Sequence, residues 1–594
     1  MRLGDFAEIW FVDFEFHVPT GNRPQPLCVV AREFRSGRLE RRWLEDEGGG
    51  GPPYRTDADV LFVAYYSSAE LGCHLSLDWP FPVNVLDLFP EFRSVSNADR
   101  RPPGGDGLLG ALAWFGLDTI SAVEKEEFRQ LAIRGGPYTR EEQKGLLDYC
   151  QSDVDSLAVL FRAMAPSIDL PRALLRGRFM ASAARMEWNG IPLDAGHYHR
   201  MVAHWEPLKE RLVEAVDSQY GVFDGATFKH DRWAEFVARH GIPWPRLESG
   251  GLALDDDTFR QMSKKYPKVV SPVRELRHTL GQLRRLDLAV GDDGRNRCLF
   301  SAFRSKTGRN QPSNTRFIFG PSVWLRGLIK PSPGWAIAYV DWDQQEFAIA
   351  ARLSGDLKMQ EAYRSGDPYL EFAKQAGAIP SDGTREEYKE ARERFKLCAL
   401  GVQYGMGEKS LAGNLGESPG EARQLLQLHR RTYPNYWAWS QAAVDQALLS
   451  GSLCSVFGWP VHIRGDANPR SLANFPCQSN GAEMMRLACI ATTERGIRVC
   501  APIHDALLVE APCDEIDHVV AQTQDAMRQA SEAVLSGFAL RSDAKIFRYP
   551  NRFMDERGVG MWKTVDRLLN EIAGSPSGDG QPATRSMSTA LLTG

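Results

Sequence analysis

The chain has 594 residues, of which 43% are hydrophobic and 25% charged, and a formal net charge of −5. At about 100–200 residues per domain, this length predicts about three to five domains of an ordinary globular protein. No apolar run approaches the ~18–20 residues of a membrane helix, Met1-Arg2-Leu3-Gly4-Asp5 lacks the apolar core of a signal peptide, and ten scattered cysteines without a CxxC pair argue against a zinc or disulfide framework. Reduced thiols in a cytosol are therefore expected. The acidic balance does not advertise nucleic-acid binding, but phosphate contacts act at short range and need only a locally basic cleft. Two clusters offer one: Arg274, Arg277, His278, Arg284 and Arg285, and then Arg304, Lys306 and Arg309. Either also fits a solvated face.

In chain order, β-branched and aromatic runs predict strands at Glu8–Phe16, Cys28–Glu33 and Val60–Tyr66. Gly48–Pro53 and Arg101–Gly107 read as Gly/Pro-rich loops. A helix is predicted over Thr139–Met164, and two more at Leu174–Glu187 and Pro272–Ala289. Gly320–Pro333 is a break before the apolar strand Trp335–Val340, after which helices alternate with short strands. The Ser/Gly/Thr-rich residues 574–594 are expected to be a disordered tail.

Two acids stand at strand tips. Asp341 ends the run Ala336–Val340, and Asp505 lies between Val499–Ile503 and Ala506–Val509. Either alone fits a turn or a helix cap. Together they fit two-metal phosphoryl transfer, in which carboxylates on rigid strands hold two cations roughly 3.5–4 Å apart. Arg392, Lys396, Leu400 and Tyr404 recur every four residues and so form one helical stripe. Gly401 and Gly405 beside it each lower helix propensity by about 1 kcal/mol, which is expected if a base pair must lie flat against this face.

These residues resemble family A DNA polymerases. Asp341-Trp342-Asp343-Gln344-Gln345-Glu346 is similar to the family's first palm motif, Arg392-x3-Lys396-x7-Tyr404-Gly405 to its fingers motif, and Ile503-His504-Asp505 to its second palm motif. Thr307-Gly308-Arg309, Arg470-x3-Asn474-x3-Gln478 and Tyr549–Trp562 match further segments of the family, the last one in phage-type members. The resemblance covers about 300–560, and more loosely 175–300. It implies that Asp341 and Asp505 hold metal, that Arg392 and Lys396 grip the dNTP phosphates, and that Lys396 can protonate pyrophosphate. It places Tyr404, Leu400 and Gln344 around the dNTP, with Glu346 excluding a ribose 2′-OH. Arg309, Arg470, Asn474, Gln478 and His504 would contact DNA. Two residues depart from the family. Leu400 stands where it has Phe or Tyr, which leaves dideoxynucleotide discrimination open, and Ala506 stands where it has Glu.

A second resemblance covers about 8–165. Asp13-Phe14-Glu15 points two carboxylates to one face of a strand, and Tyr149 lies one helical turn before Asp153. The pair resembles 3′→5′ exonucleases with four acids and a tyrosine, which also hydrolyse with two metals. The family's third acid would be Glu70, seventeen residues before Asp87, and Asp87 reads as structural.

The expected architecture is thus multidomain α/β and α+β. An RNase H-like exonuclease domain (1–170) precedes a right-hand polymerase with a helical thumb (171–300) and palm and fingers (301–573). The exonuclease-like segment begins within the first residues, so no 5′-nuclease domain is expected. The expected cofactor is Mg²⁺, two per site, with Mn²⁺ as a substitute. Primer–template DNA and dNTPs are the expected partners, for a monomer in a bacterial or phage-infected cytoplasm, with no membrane. A single-subunit RNA polymerase, against which Glu346 and the exonuclease-like segment speak, a proofreading-like nuclease with a dead polymerase, and a catalytically silent primer–template binder are the rival readings.

Overall fold

The computed structural model describes residues 2–44, 50–97, 104–117, 122–282, 287–463, 465 and 467–574. The expected tail beyond Gly574, Arg284, Arg285 and parts of both Gly/Pro-rich loops lie outside the described residues. Two compact units are present. One comprises Met1–Leu193, Leu288–Gly320 and Lys330–Arg552, the other Asp194–Asp287, Pro321–Ile329 and Phe553–Gly594.

Unit one holds a five-stranded and a four-stranded sheet. The first has the order β3-β2-β1-β4-β5, with β1 (Glu8–His17), β2 (Gln25–Glu33), β3 (Leu39–Trp43), β4 (Val60–Ala64) and β5 (Asn84–Asp87). β1 is antiparallel to β2 and parallel to β4, and the parallel pairs β1–β4 and β4–β5 form its other half. Alternation along β1 decides what each face meets. Trp10, Val12 and Phe14 join one core with Leu71 and Cys73 from α1 (Ser68–Ser76). Ile9 and Phe11 join the other with Val154, Leu157 and Phe161 of α3 (Arg140–Met164). Asp13 and Glu15 continue the second face, which α3 covers. A capping box between Thr139 and Glu142 starts α3 where the sequence predicts. α2 (Leu88–Ser96) follows β5 directly, with Asp87 as its N-cap.

Helix α4 (Leu170–Asn189) carries the chain from the first sheet to the second. A Cβ on Gly177 would come within 1.9 Å of Val85 O, so only glycine lets α4 lie this close to β5. The buried Arg176 forks onto Glu91 of α2 at 2.6 and 2.7 Å. Further on, Ser182 Oγ accepts from Thr493 Oγ1, and Asn189 Nδ2 donates to Val499 O. One helix thereby joins both sheets, and the compact units divide the chain at other places than the expected segments 1–170, 171–300 and 301–573.

The second sheet is antiparallel, with the order β9-β10-β6-β11. It comprises β6 (Trp335–Trp342), β9 (Arg498–Ile503), β10 (Ala506–Pro512) and β11 (Ser542–Arg548). Around it stand α5 (Gln345–Leu353), α6 (Lys389–Gln403), the short hairpin β7–β8 (Ser452–Cys454, Pro460–His462), α7 (Pro469–Glu494) and α8 (Ile516–Val534). β9 and β10 are joined by the two residues His504-Asp505, and His504 takes the positive φ (54°) that such tight turns require.

The second unit is mostly helical, with an aromatic core. Trp233 stacks on Phe236 at 5.5 Å and meets Trp244 edge-on at 5.0 Å. The helix predicted at Pro272–Ala289 instead spans Pro267–Gln282. Leu288 and Ala289 lie in an extended segment, where Ala289 N donates to Arg316 O and Ala289 O accepts from Arg297 N. The expected basic face around Arg274 is also partly spent inside the unit. Arg277 lies 4.0 Å above the Phe259 ring and 4.4 Å above that of Phe228, and donates to Leu254 O, while Arg274 reaches Asp256. Among the described residues, no helix is long and apolar enough to cross a membrane.

Candidate active sites

The first site stands at the end of the antiparallel sheet. Asp341 pairs with Ala506 on one side and Asp543 on the other, and the next residue's amide, Trp342 N, donates to Asp505 O at 3.2 Å. Strand register therefore sets Asp341 beside Asp505, close enough for the charge of one to raise the other. Burial and then the charge of Asp505 hold the Asp341 carboxyl well above the usual range, and burial also raises Asp505. Asp341 Oδ1 is buried and accepts no hydrogen bond from the described residues. Two crowded, partly unsatisfied carboxylates fit a dication, which would relieve both the repulsion and the orphaned oxygen.

Gln344 takes a left-handed φ of 45° at the N-cap of α5, turning the chain so that Glu346 falls in the first helical turn. Arg309 Nη2 lies 3.4 Å from Glu346 Oε1. Burial and the Glu346 charge push Tyr404 up to about 12. Tyr404 caps the C-terminal end of α6 and is half exposed.

On α6 the two cations differ. Lys396 is partly exposed and only loosely paired with Glu393 at 3.9 Å. Arg392 is buried at the helix start, bound to Asp367 and Glu393 and near the Tyr369 ring. It can reach a phosphate only by exchanging these partners. Leu400 is half-buried on the same helix. The two glycines do not leave room for a base pair as expected. A Cβ on Gly401 would meet Met406 Sδ at 3.3 Å and Leu411 Cδ1 at 3.6 Å, and one on Gly405 (φ +66°) would meet Arg470 Cγ at 2.9 Å. Their smallness serves the packing of protein on protein.

Arg470, Asn474 and Gln478 form one stripe along α7, and His504 is exposed at the turn next to Asp505. Gly481, one turn beyond Gln478 on α7, went unread in the sequence. A Cβ there would come 2.9 Å from Gln345 Oε1 and 3.4 Å from Arg309 Nη2, so a larger residue would have to displace these two side-chain ends. A helix-interior glycine, costing about 1 kcal/mol, was its signal.

The second site lies under α3. Asp13, Glu15 and Cys150 place ligand atoms within 4.8 Å of one another, and Cys150 Sγ donates to Asp13 O at 3.2 Å. Tyr149 stacks on Phe128 at 5.6 Å. Burial, then the charge of Asp153, raises the Tyr149 hydroxyl, which also hydrogen-bonds to Asp153. Asp153 is buried. Glu70, on α1, is 4% exposed; burial and then the charge of Asp13 hold its carboxyl well above the usual range, and its Oε2 has no hydrogen-bond partner among the described residues. This arrangement too fits a cation. Asp87 is spent on structure: its oxygens accept from Tyr66 N, Ser67 N, Ser67 Oγ and Phe89 N at 2.6–2.9 Å.

Comparisons with known proteins place the chain among DNA polymerases of family A. DNA polymerase I of Chloroflexus aurantiacus is 24% identical over 378 residues, 58% of this chain and 39% of that protein. DNA polymerase I of Aquifex aeolicus is 23% identical over 381 residues, 61% of this chain and 65% of that protein. The chain thus spans less than two thirds of the length of either relative. A solved structure described as the POL domain of Pol1 from M. smegmatis, complexed with DNA primer–template and dNTP, superposes with a TM-score of 0.65 at 18% identity; it covers 90% of this chain and 95% of that one, and so shares its fold. The model of DNA polymerase family A matches residues 245–546, the stretch that holds Arg309, Asp341, Lys396 and Asp505, and the chain belongs to that family.

Proposed function

We propose that this chain extends DNA primers on a template with dNTPs and removes nucleotides from 3′ ends at a separate site. The observation that carries the first activity is the pair Asp341–Asp505, brought together by strand register, crowded and left with an unsatisfied oxygen. Mg²⁺, when bound there, supplies a lowered pKa for the attacking 3′-OH and charge for the triphosphate. Asp341 and Asp505 orient this chemistry from rigid strands. Lys396, the freer cation of α6, holds the triphosphate and can give a proton to the leaving pyrophosphate. Arg309, Arg470, Asn474, Gln478 and His504 line the primer–template path. In the second site Asp13, Glu15, Glu70 and Asp153 would hold metal, and Tyr149 would orient the attacking water. Extension of a labelled primer with Mg²⁺ and dNTPs, but not with rNTPs, tests the reading; a preference for rNTPs would move it to an RNA polymerase.

Glu346 selects the sugar. The contact with Arg309 at 3.4 Å supports this role, since it restrains the side chain that would exclude a 2′-OH. Glu346→Ala is expected to raise the rNTP-to-dNTP ratio by about tenfold or more and to slow dNTP use, since Arg309 loses its partner. An unchanged ratio in single-turnover incorporation removes Glu346 from this role.

Leu400 lies one turn before Tyr404 and offers no hydroxyl to stand in for a missing 3′-OH. Leu400→Tyr is expected to improve dideoxynucleotide use relative to dNTP by about tenfold or more. Equal chain termination by both proteins argues that α6 presents another face to the nucleotide.

A further inference from the structure

We propose that Asn97, at the end of helix α2 in the exonuclease-like region, is a positioning residue for primer extension, acting through the loop that carries Arg309. The inference rests on the polymerase reading above and adds a residue to it.

Asn97 is fully buried, and its side-chain amide bridges two segments far away in sequence. Nδ2 donates to Lys306 O at 2.7 Å and to Pro460 O, in β8, at 2.6 Å. Trp459 Nε1 donates to the same Lys306 carbonyl at 3.0 Å. Arg93, one turn earlier on α2, sends Nη2 to Arg304 O at 3.0 Å while Nη1 holds Asp106. From the strand side, His462 N donates to Asn97 O at 3.1 Å, and Ser94 O lies 3.1 Å from His462 Nε2. The end of α2 is thus stitched to β8 and to two backbone carbonyls of the 304–308 loop.

That loop closes immediately before Arg309. Gly308 N donates to Ser305 O at 2.9 Å, and Arg309 N donates to Ser305 Oγ at 2.8 Å. Gly308 takes a φ of +74°, and a Cβ there would press on Trp459 Nε1 at 3.1 Å, so the turn admits only glycine. Gly308 O accepts from the buried Arg486 at 2.7 Å. The loop is held at Arg304, Lys306 and Gly308, and Arg309, which follows it, reaches Glu346 at 3.4 Å. Two of the three anchors come from α2. The N-cap of that helix, Asp87, also binds Ser67 at the start of α1, the helix that bears Glu70.

Two side-chain hydrogen bonds to otherwise buried carbonyls are lost in Asn97→Ala, which frees the loop without touching either set of acids. The expected result is a KM for primer–template about tenfold higher, with degradation of single-stranded DNA from its 3′ end unchanged. In a double-mutant cycle, Asn97→Ala together with Arg309→Ala should extend primers no worse than Arg309→Ala alone, because the two changes remove one contact. A purely structural role for Asn97 would instead multiply the two defects. If Asn97→Ala does not fold, Arg93→Lys reads the same coupling, since an ammonium cannot span Asp106 and Arg304 O as the planar fork does; a KM raised about threefold is expected. Unmodified protein that extends primers while neither variant changes KM, or a multiplicative cycle, overturns the inference alone. Unmodified protein that extends nothing overturns the polymerase reading, and this inference with it.

Discussion

Asp341→Ala and Asp505→Ala are each expected to lower primer extension by about a thousandfold or more, and to leave 3′ degradation of single-stranded DNA within about twofold of the unmodified protein. The size follows from what each carboxylate does. With one gone, the remaining acid cannot hold two cations against the charge of the triphosphate. Ala506, opposite Asp341 in the sheet, offers no third ligand in their place. The independence of the second activity follows from location: its acids stand on β1, α1 and α3, around the other sheet of the same unit. Retained degradation also shows that the variant is folded. Rates measured on one labelled oligonucleotide, single-stranded and then annealed, separate the two activities, and extension surviving either substitution contradicts the assignment of the metal ligands.

Asp13→Ala and Glu70→Ala are expected to reduce 3′ degradation by about a hundredfold or more while primer extension continues. The Asp13 arm follows from its place on β1 beside Glu15 and under Cys150. The Glu70 arm is more demanding. Glu is longer than Asp by one methylene and must still meet the near-octahedral distances of about 2.0–2.1 Å that Mg²⁺ requires. The first turn of α1 sets Glu70 close enough to Asp13 for the charge of one to raise the other. A buried carboxyl with a free oxygen and an acidic neighbour is costly unless a cation joins it. Wild-type degradation by Glu70→Ala would leave that cost without a function and remove Glu70 from the ligand set.

Much of this was legible in the sequence because it is local. β1 was expected at Glu8–Phe16 and spans Glu8–His17, and β6 was expected at Trp335–Val340 and spans Trp335–Trp342. Alternation and β-branched residues speak within a few positions. The start of α3 was legible because Thr139 and Glu142 cap each other three residues apart. Asp87 was read as structural, and its four hydrogen bonds agree. What was not legible depends on partners distant in sequence. Nothing near Arg392 announces that Asp367, 25 residues earlier, holds it. Gly401 looked like an opening for a base pair until the fold returned Met406 and Leu411 to it. Arg277 looked like part of a basic face until Phe228 and Phe259 closed around it. Asn97 carries no motif at all; its meaning lies in Lys306 and Pro460, hundreds of residues away.

The central claim is that Asp341 and Asp505 serve templated DNA synthesis. It is tested most directly by offering the unmodified protein a labelled primer on templates that differ only in the first unpaired base, with Mg²⁺ and one dNTP at a time. The account predicts that each template is extended by its complementary dNTP alone, and that chelating the cation stops extension. No extension on any template, or extension that ignores the template base, would contradict it.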